Sequence, residues 1–125
     1  MKTPISTQSA PGAIGPYSQA IRAGQFVYTS GQLPLTCEGH LELADIRKAA
    51  QISLSNVKAI LEAAGASMAD IVKSTVFLTD LSDFTAVNEV YATFFEGSPP
   101  ARSCVQVAAL PRGAAVEIEA IAILP

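Results

Sequence analysis

Val116-Glu117-Ile118-Glu119-Ala120-Ile121-Ala122-Ile123 is the stretch on which the fold turns. It holds neither Pro nor Gly and is rich in β-branched residues, so it reads as a strand within 115–124. Strand side chains alternate between faces. One face then carries Val116, Ile118, Ala120, Ala122 and Leu124, apolar enough to lie under helices. The other carries Glu117, Glu119, Ile121 and Ile123. In a two-layer monomer that second face is solvated, and two isoleucines on it predict that another subunit covers it.

Upstream, Pro99-Pro100-Ala101-Arg102-Ser103-Cys104-Val105 opens a strand over 101–107, joined to the last by a turn region at 110–114. Alternation puts Arg102, Cys104 and Gln106 on one face and Ser103, Val105 and Val107 on the other. The β-branched run at 71–78 reads as a further strand. Before it, 44–64 is the clearest helix. Ile46, Ala49, Ala50, Leu54, Val57, Ile60, Leu61 and Ala64 recur near the 3.6-residue period, and Arg47, Lys48, Gln51, Ser55, Lys58 and Glu62 fill a solvated face. Asp45 suits the N-cap and Gly65 the C-terminal cap. Ser67-Met68-Ala69-Asp70 has the form of a capping box with room for only a short turn. A second helix is predicted over 84–95, capped by Asp83. Its apolar stripe is Phe84, Val87, Tyr91, Phe94 and Phe95, with Asn88 one residue off it.

The segment 1–16 is broken by Pro4, Pro11, Gly12, Gly15 and Pro16 and is expected to be an extended arm. Residues 18–22 and 25–29 pair as a hairpin around Ala23-Gly24. Ser30-Gly31-Gln32 follows. Gly31 either lets a backbone N–H approach a ligand or sits at a strand end or bulge. The loop 35–43 carries a solvated His40. The order is β-β-α-β-α-β-β: an α+β domain over 1–125, with two helices on one face of a single mixed sheet and right-handed crossovers.

Composition narrows the function. Of 125 residues, 50% are hydrophobic and 15% charged, against about 25% charged in an ordinary soluble domain. So little polar surface predicts a homo-oligomer. A net charge of −3 offers no basic stripe for nucleic acid. No apolar run approaches a membrane span, and no signal-peptide pattern opens the chain, so the expected compartment is the cytoplasm. Cys37 and Cys104 lie far apart without CxxC spacing, and a single histidine builds neither a metal site nor a Ser-His-Asp triad.

No phosphate loop, metal-ligand cluster or nucleophile elbow is present. Arg102, Cys104, Glu117, Glu119 and scattered hydroxyls remain. An arginine fork matches a carboxylate bidentately. A glutamate in a partly dry site has its pKa raised and can orient or deprotonate water. Arg102 with Glu117 therefore suggests hydrolysis of a small carboxylate-bearing molecule. An internal ion pair between neighbouring strands is the competing reading. Cys104 has no histidine partner and reads as a small core residue rather than a nucleophile.

Several motifs then act together: Ile14-Gly15-Pro16-Tyr17-Ser18, Thr29-Ser30-Gly31-Gln32, VKAILEAAG at 57–65, Asp70-Ile71-Val72-Lys73, Val87-Asn88, PARSCV at 100–105 and EIEAIA at 117–122. In this order they resemble the RidA family, also called YjgF or L-PSP, and most closely its archetypal RidA subfamily. The resemblance implies a chorismate-mutase-like homotrimer with sites at the subunit interfaces. It implies cofactor-free deamination of 2-imino and enamino acids (2-aminoacrylate, 2-iminopropanoate, 2-iminobutanoate) to 2-oxo acids and ammonia. Residue by residue, it implies that Arg102 grips the substrate carboxylate and Glu117 positions the attacking water. The backbone of Cys104 would face the imine nitrogen, and Tyr17, Ser30, Gly31 and Asn88 would line the cleft. Glu119 would be structural. The loops at 36–40 and 96–99 are shorter than in the archetype, and Cys37 has no matching role. The alternatives are a non-catalytic trimer that binds small carboxylates or acts as a holdase, and the endoribonuclease or translation-inhibitor activity attached to some L-PSP members.

Overall fold

The computed structural model describes residues 1–125. Its elements are β1 (Lys2–Ile5), β2 (Ala20–Ala23), β3 (Phe26–Thr29), α1 (Ile46–Ala63), β4 (Ile71–Leu78), α2 (Phe84–Ala92), β5 (Ala101–Gln106) and β6 (Val116–Ile123). The strands form one six-stranded mixed sheet in the order β1-β2-β3-β6-β4-β5. Neighbours are antiparallel except β4 and β5, whose parallel pairing requires the crossover that α2 supplies.

β6 lies between β3 and β4, and its alternation sets the two faces of the sheet. Val116, Ile118, Ala120 and Ala122 are buried with Val76 and Leu78 of β4 against α1 and α2. Leu54, Val57, Ile60 and Leu61 supply the α1 side of that core. Each such aliphatic side chain, fully buried, contributes about 1.5–3 kcal/mol. The opposite face has no layer over it. Phe26 and Tyr28 stand there beside Ile123 and Ile121, their cross-strand partners, and Phe26, Tyr28, Ile123 and Val105 are each more than two-fifths exposed.

Local signals account for most boundaries. The Asp45 carboxylate accepts from the Arg47 and Lys48 backbone N–H groups and starts α1, and Gly65, at φ +90°, follows its C-cap Ala64. Ser67 and Asp70 close the expected capping box around a 3-10 turn. Three expectations need correcting. The arm at 1–16 is not wholly irregular, because Lys2–Ile5 pairs with β2; Pro4 is tolerated there because β1 is an edge strand. Asp83 makes no side-chain cap to α2; Asp80, which accepts from the Ser82 N–H, caps the turn before it. The helix also stops at Ala92, so Phe94 and Phe95 pack on the core from beyond its end.

Candidate functional site

Arg102 sits on β5, an edge strand, with its side chain on the helix face. Ser74 is its cross-strand partner on β4, buried on that same face. From α2, Phe84, Asn88 and Tyr91 recur at i, i+4 and i+7 and converge on the guanidinium. Arg102 Nη1 donates to Asn88 Oδ1 at 2.7 Å. Its Cζ lies 4.8 Å from the Tyr91 ring centroid and 5.5 Å from that of Phe84, within cation–π range. No carboxylate pairs with it. The remaining N–H donors are open to an anion. A cavity of about 460 Å³ lies here, lined among others by Asn88, Tyr91, Phe95 and Arg102.

Glu117 occupies the other face. Its β4 partner is Phe77, in the alternate set from Ser74, Val76 and Leu78. Burial first, and the neighbouring Glu119 carboxylate second, raise its pKa above the ordinary value. Gly31 packs directly on it. A Cβ on Gly31 would lie 2.6 Å from Glu117 Oε2, so the carboxylate holds this position only because residue 31 has no side chain. The Gly31 N–H has no protein acceptor, whereas the Ser30 and Gln32 N–H groups bond Gln19 and Ile118 carbonyls. The Ser30 hydroxyl donates to the Ser18 carbonyl at 2.6 Å. Tyr17 leans over the entrance, its hydroxyl accepting from the Ile14 N–H at 3.3 Å. These residues, with Gln19 and Arg112, line a cavity of about 540 Å³.

The predicted residues therefore fall into two groups. Tyr17, Ser30, Gly31 and Glu117 share one cavity; Asn88 and Arg102 share the other. Within one chain Arg102 and Glu117 do not meet. They stand on opposite faces, and β4 separates their strands. This disposes of the internal ion pair. Cys104 lies beside Arg102 on the helix face and lines neither of these cavities. Burial pushes its thiol pKa up against the opposing pull of Arg102, which keeps it a thiol rather than a thiolate near neutrality. Glu119 shares the open face with Glu117 and has no cation partner. No group of three His, Cys, Asp or Glu side chains is placed to hold a metal ion, and no helix is long and apolar enough to cross a membrane.

Sequence reading missed the partners of these residues. Gln19 is one: its buried amide donates to the Thr7, Ala10 and Pro11 carbonyls and accepts from the Thr7 N–H, fixing the arm that walls the Glu117 cavity. Ser74, Phe84 and Tyr91 around Arg102 are others. Phe84 and Tyr91 fall on the apolar stripe that periodicity assigns to the core, so nothing in the sequence marks them as neighbours of Arg102.

The family profile described as Endoribonuclease L-PSP matches residues 7–124. The chain belongs to this family, the YjgF/RidA family. Among its relatives, the 2-iminobutanoate/2-iminopropanoate deaminase of Escherichia coli K12 is 50% identical, over 98% of both chains. The crystal structure of E. coli TdcF with bound serine is 53% identical, covers 98% of this chain and 99% of its own, and superposes with a TM-score of 0.95. The E. coli YjgF structure is 50% identical, covering 97% of this chain and 98% of its own, with a TM-score of 0.93. The mixed sheet and its two helices are thus the architecture of the YjgF/RidA family.

Proposed function

We propose that this protein hydrolyses 2-imino and enamino acids to 2-oxo acids and ammonia, in a site built between subunits of a homotrimer. The observation that carries the reading is the division of the site. An arginine with open donors waits at one edge, and a carboxylate with raised pKa waits on the uncovered face. Neither half is complete in one chain. An apolar open face bearing Phe26, Tyr28, Ile121 and Ile123 favours burial against further copies. A threefold arrangement brings the Arg102 cavity of one copy against the Glu117 cavity of the next.

In such a site Arg102 grips the substrate carboxylate. Glu117 takes a proton from water as the water oxygen bonds to the imine carbon, and passes that proton to the imine nitrogen. The resulting carbinolamine collapses. Glu117 takes the hydroxyl proton as the carbonyl forms and delivers it to the amine nitrogen as the C–N bond breaks, so that ammonia departs and a 2-oxo acid remains. The Gly31 N–H, free of a protein acceptor, is a main-chain donor beside Glu117, and the family resemblance assigns the Cys104 backbone to the imine nitrogen. No nucleophile or cofactor is required, because imines hydrolyse readily once oriented and supplied with an activated water. The deaminase named among the relatives and the serine bound to TdcF, an α-amino acid with the same carboxylate and α-nitrogen, support this substrate class. The charge of −3 and the absence of a basic stripe favour it over RNA cleavage.

The test couples the protein to a threonine dehydratase that releases 2-iminobutanoate. The expected result is faster 2-oxobutanoate formation, with kcat/KM lowered about 10²-fold by Arg102→Ala. A protein that binds 2-oxobutanoate but leaves the rate unchanged is a carboxylate binder, and the proposal fails.

A further inference from the structure

We propose that Tyr91 is a positioning residue for this reaction: its ring, tethered through its hydroxyl to Ser74, fixes the Arg102 guanidinium in the orientation that receives a carboxylate. The inference rests on the deaminase reading above and adds to it a device that neither the motifs nor the cavity-lining roles supply.

The strand register creates the device. Ser74 and Arg102 are side by side on β4 and β5 and point to the same face. Ser74 is 2% exposed, so its hydroxyl needs a partner inside the protein. It finds the Tyr91 hydroxyl at 2.6 Å. An alanine and a phenylalanine would fill nearly the same space without polar atoms. The hydrogen bond adds control of the depth and tilt of the ring. That ring lies against the guanidinium, with Phe84 on a second side.

Arginine has among the largest side-chain entropies to lose on ordering. The Asn88 bond engages one nitrogen, and a guanidinium held by a single bond can pivot about it. Two aromatic faces remove that freedom while leaving the other donors exposed. Burial raises the Tyr91 pKa, so the phenol stays neutral beside Arg102 and does not compete with the substrate as an anion.

The experiment compares Tyr91→Leu, Tyr91→Phe and Ser74→Ala in the full-length protein. Three readouts are used: Kd for 2-oxobutanoate by calorimetry, kcat in the coupled assay, and the Arg102 Nε–H signal by NMR without ligand. Tyr91→Leu should raise Kd about tenfold with kcat within about twofold, and erase the ring-current shift of the Arg102 signal. Tyr91→Phe keeps the ring and should rescue most of the affinity, leaving a rise of about two- to threefold, matched by Ser74→Ala. A Tyr91→Leu protein that folds with unchanged Kd and an unmoved Arg102 signal overturns the proposal. So does a loss of kcat and affinity in step with the folded fraction, which marks a structural residue. If Tyr91→Leu does not fold, unchanged Kd in both milder variants overturns it. A parent protein without turnover defeats the deaminase reading alone, and the Arg102 signal and Kd still judge the clamp.

Discussion

The two halves of the site are prepared in opposite ways. Around Arg102 every neighbour favours the charge: an amide oxygen at 2.7 Å and two aromatic faces hold the guanidinium where it stands. Around Glu117 the neighbours disfavour the charge: burial and the Glu119 carboxylate raise its pKa, and the Gly31 backbone presses close. A group that only binds is best held rigid and ionised. A group that must take a proton and give it back is best held with its ionised form made less stable. In the proposed mechanism this contrast becomes a division of labour between an anion clamp and a base, and the predictions probe each side of it.

Glu117→Gln should have the largest effect, lowering kcat by about 10²–10⁴ while leaving 2-oxobutanoate binding nearly intact in calorimetry. Arg102→Ala should reverse that pattern, lowering kcat/KM by about 10² with the loss seen first in carboxylate affinity. If both variants lose affinity equally, the division is wrong. Gly31→Ala tests the close approach: the new methyl displaces the flexible end of Glu117, so kcat should fall about tenfold with little change in melting temperature.

Smaller effects concern pH. The acid limb of kcat/KM should lie above the ordinary glutamate range. Glu119→Gln removes a charge that raises the Glu117 pKa, so it should move that limb to lower pH. Stability carries the same sign. A carboxyl whose folded pKa exceeds its unfolded value favours folding fully below the unfolded value and loses that contribution as pH rises through the folded one. Glu117→Gln should therefore be stabilised relative to the parent at neutral pH, and the gain should vanish in acid, as read by thermal melts across that window.

Much of this was written into the alternation of 116–123 and the periodicity of 46–63, because burial of one face imposes a period and both elements are long enough to display it. β1 was illegible because its pairing with β2 is tertiary and its Pro4 is permitted only by an edge position that sequence does not reveal. The candidate site residues stood out as motifs and their charges as chemistry. Their separation was not. Alternation in 116–123 already puts Glu117 on the face away from the helices and groups Arg102 with Cys104 and Gln106, but only the register of β4 with both β5 and β6 states that Arg102 lies on the helix face, opposite Glu117. The Ser74–Tyr91 tether depends on the same register and was hidden for the same reason.

The central claim is that one subunit supplies the clamp and the next supplies the base. Mixing Arg102→Ala with Glu117→Gln tests it most directly: two variants each impaired by about 10² or more are combined, at substrate below the parent KM, under conditions that native mass spectrometry verifies as exchanging subunits. In a closed ring whose sites each draw on two chains, random mixing of equal amounts rebuilds about a quarter of the sites. Activity should return to about that fraction of the parent value. Mixed oligomers that remain as inactive as the separate variants would place clamp and base in the same chain and contradict the account.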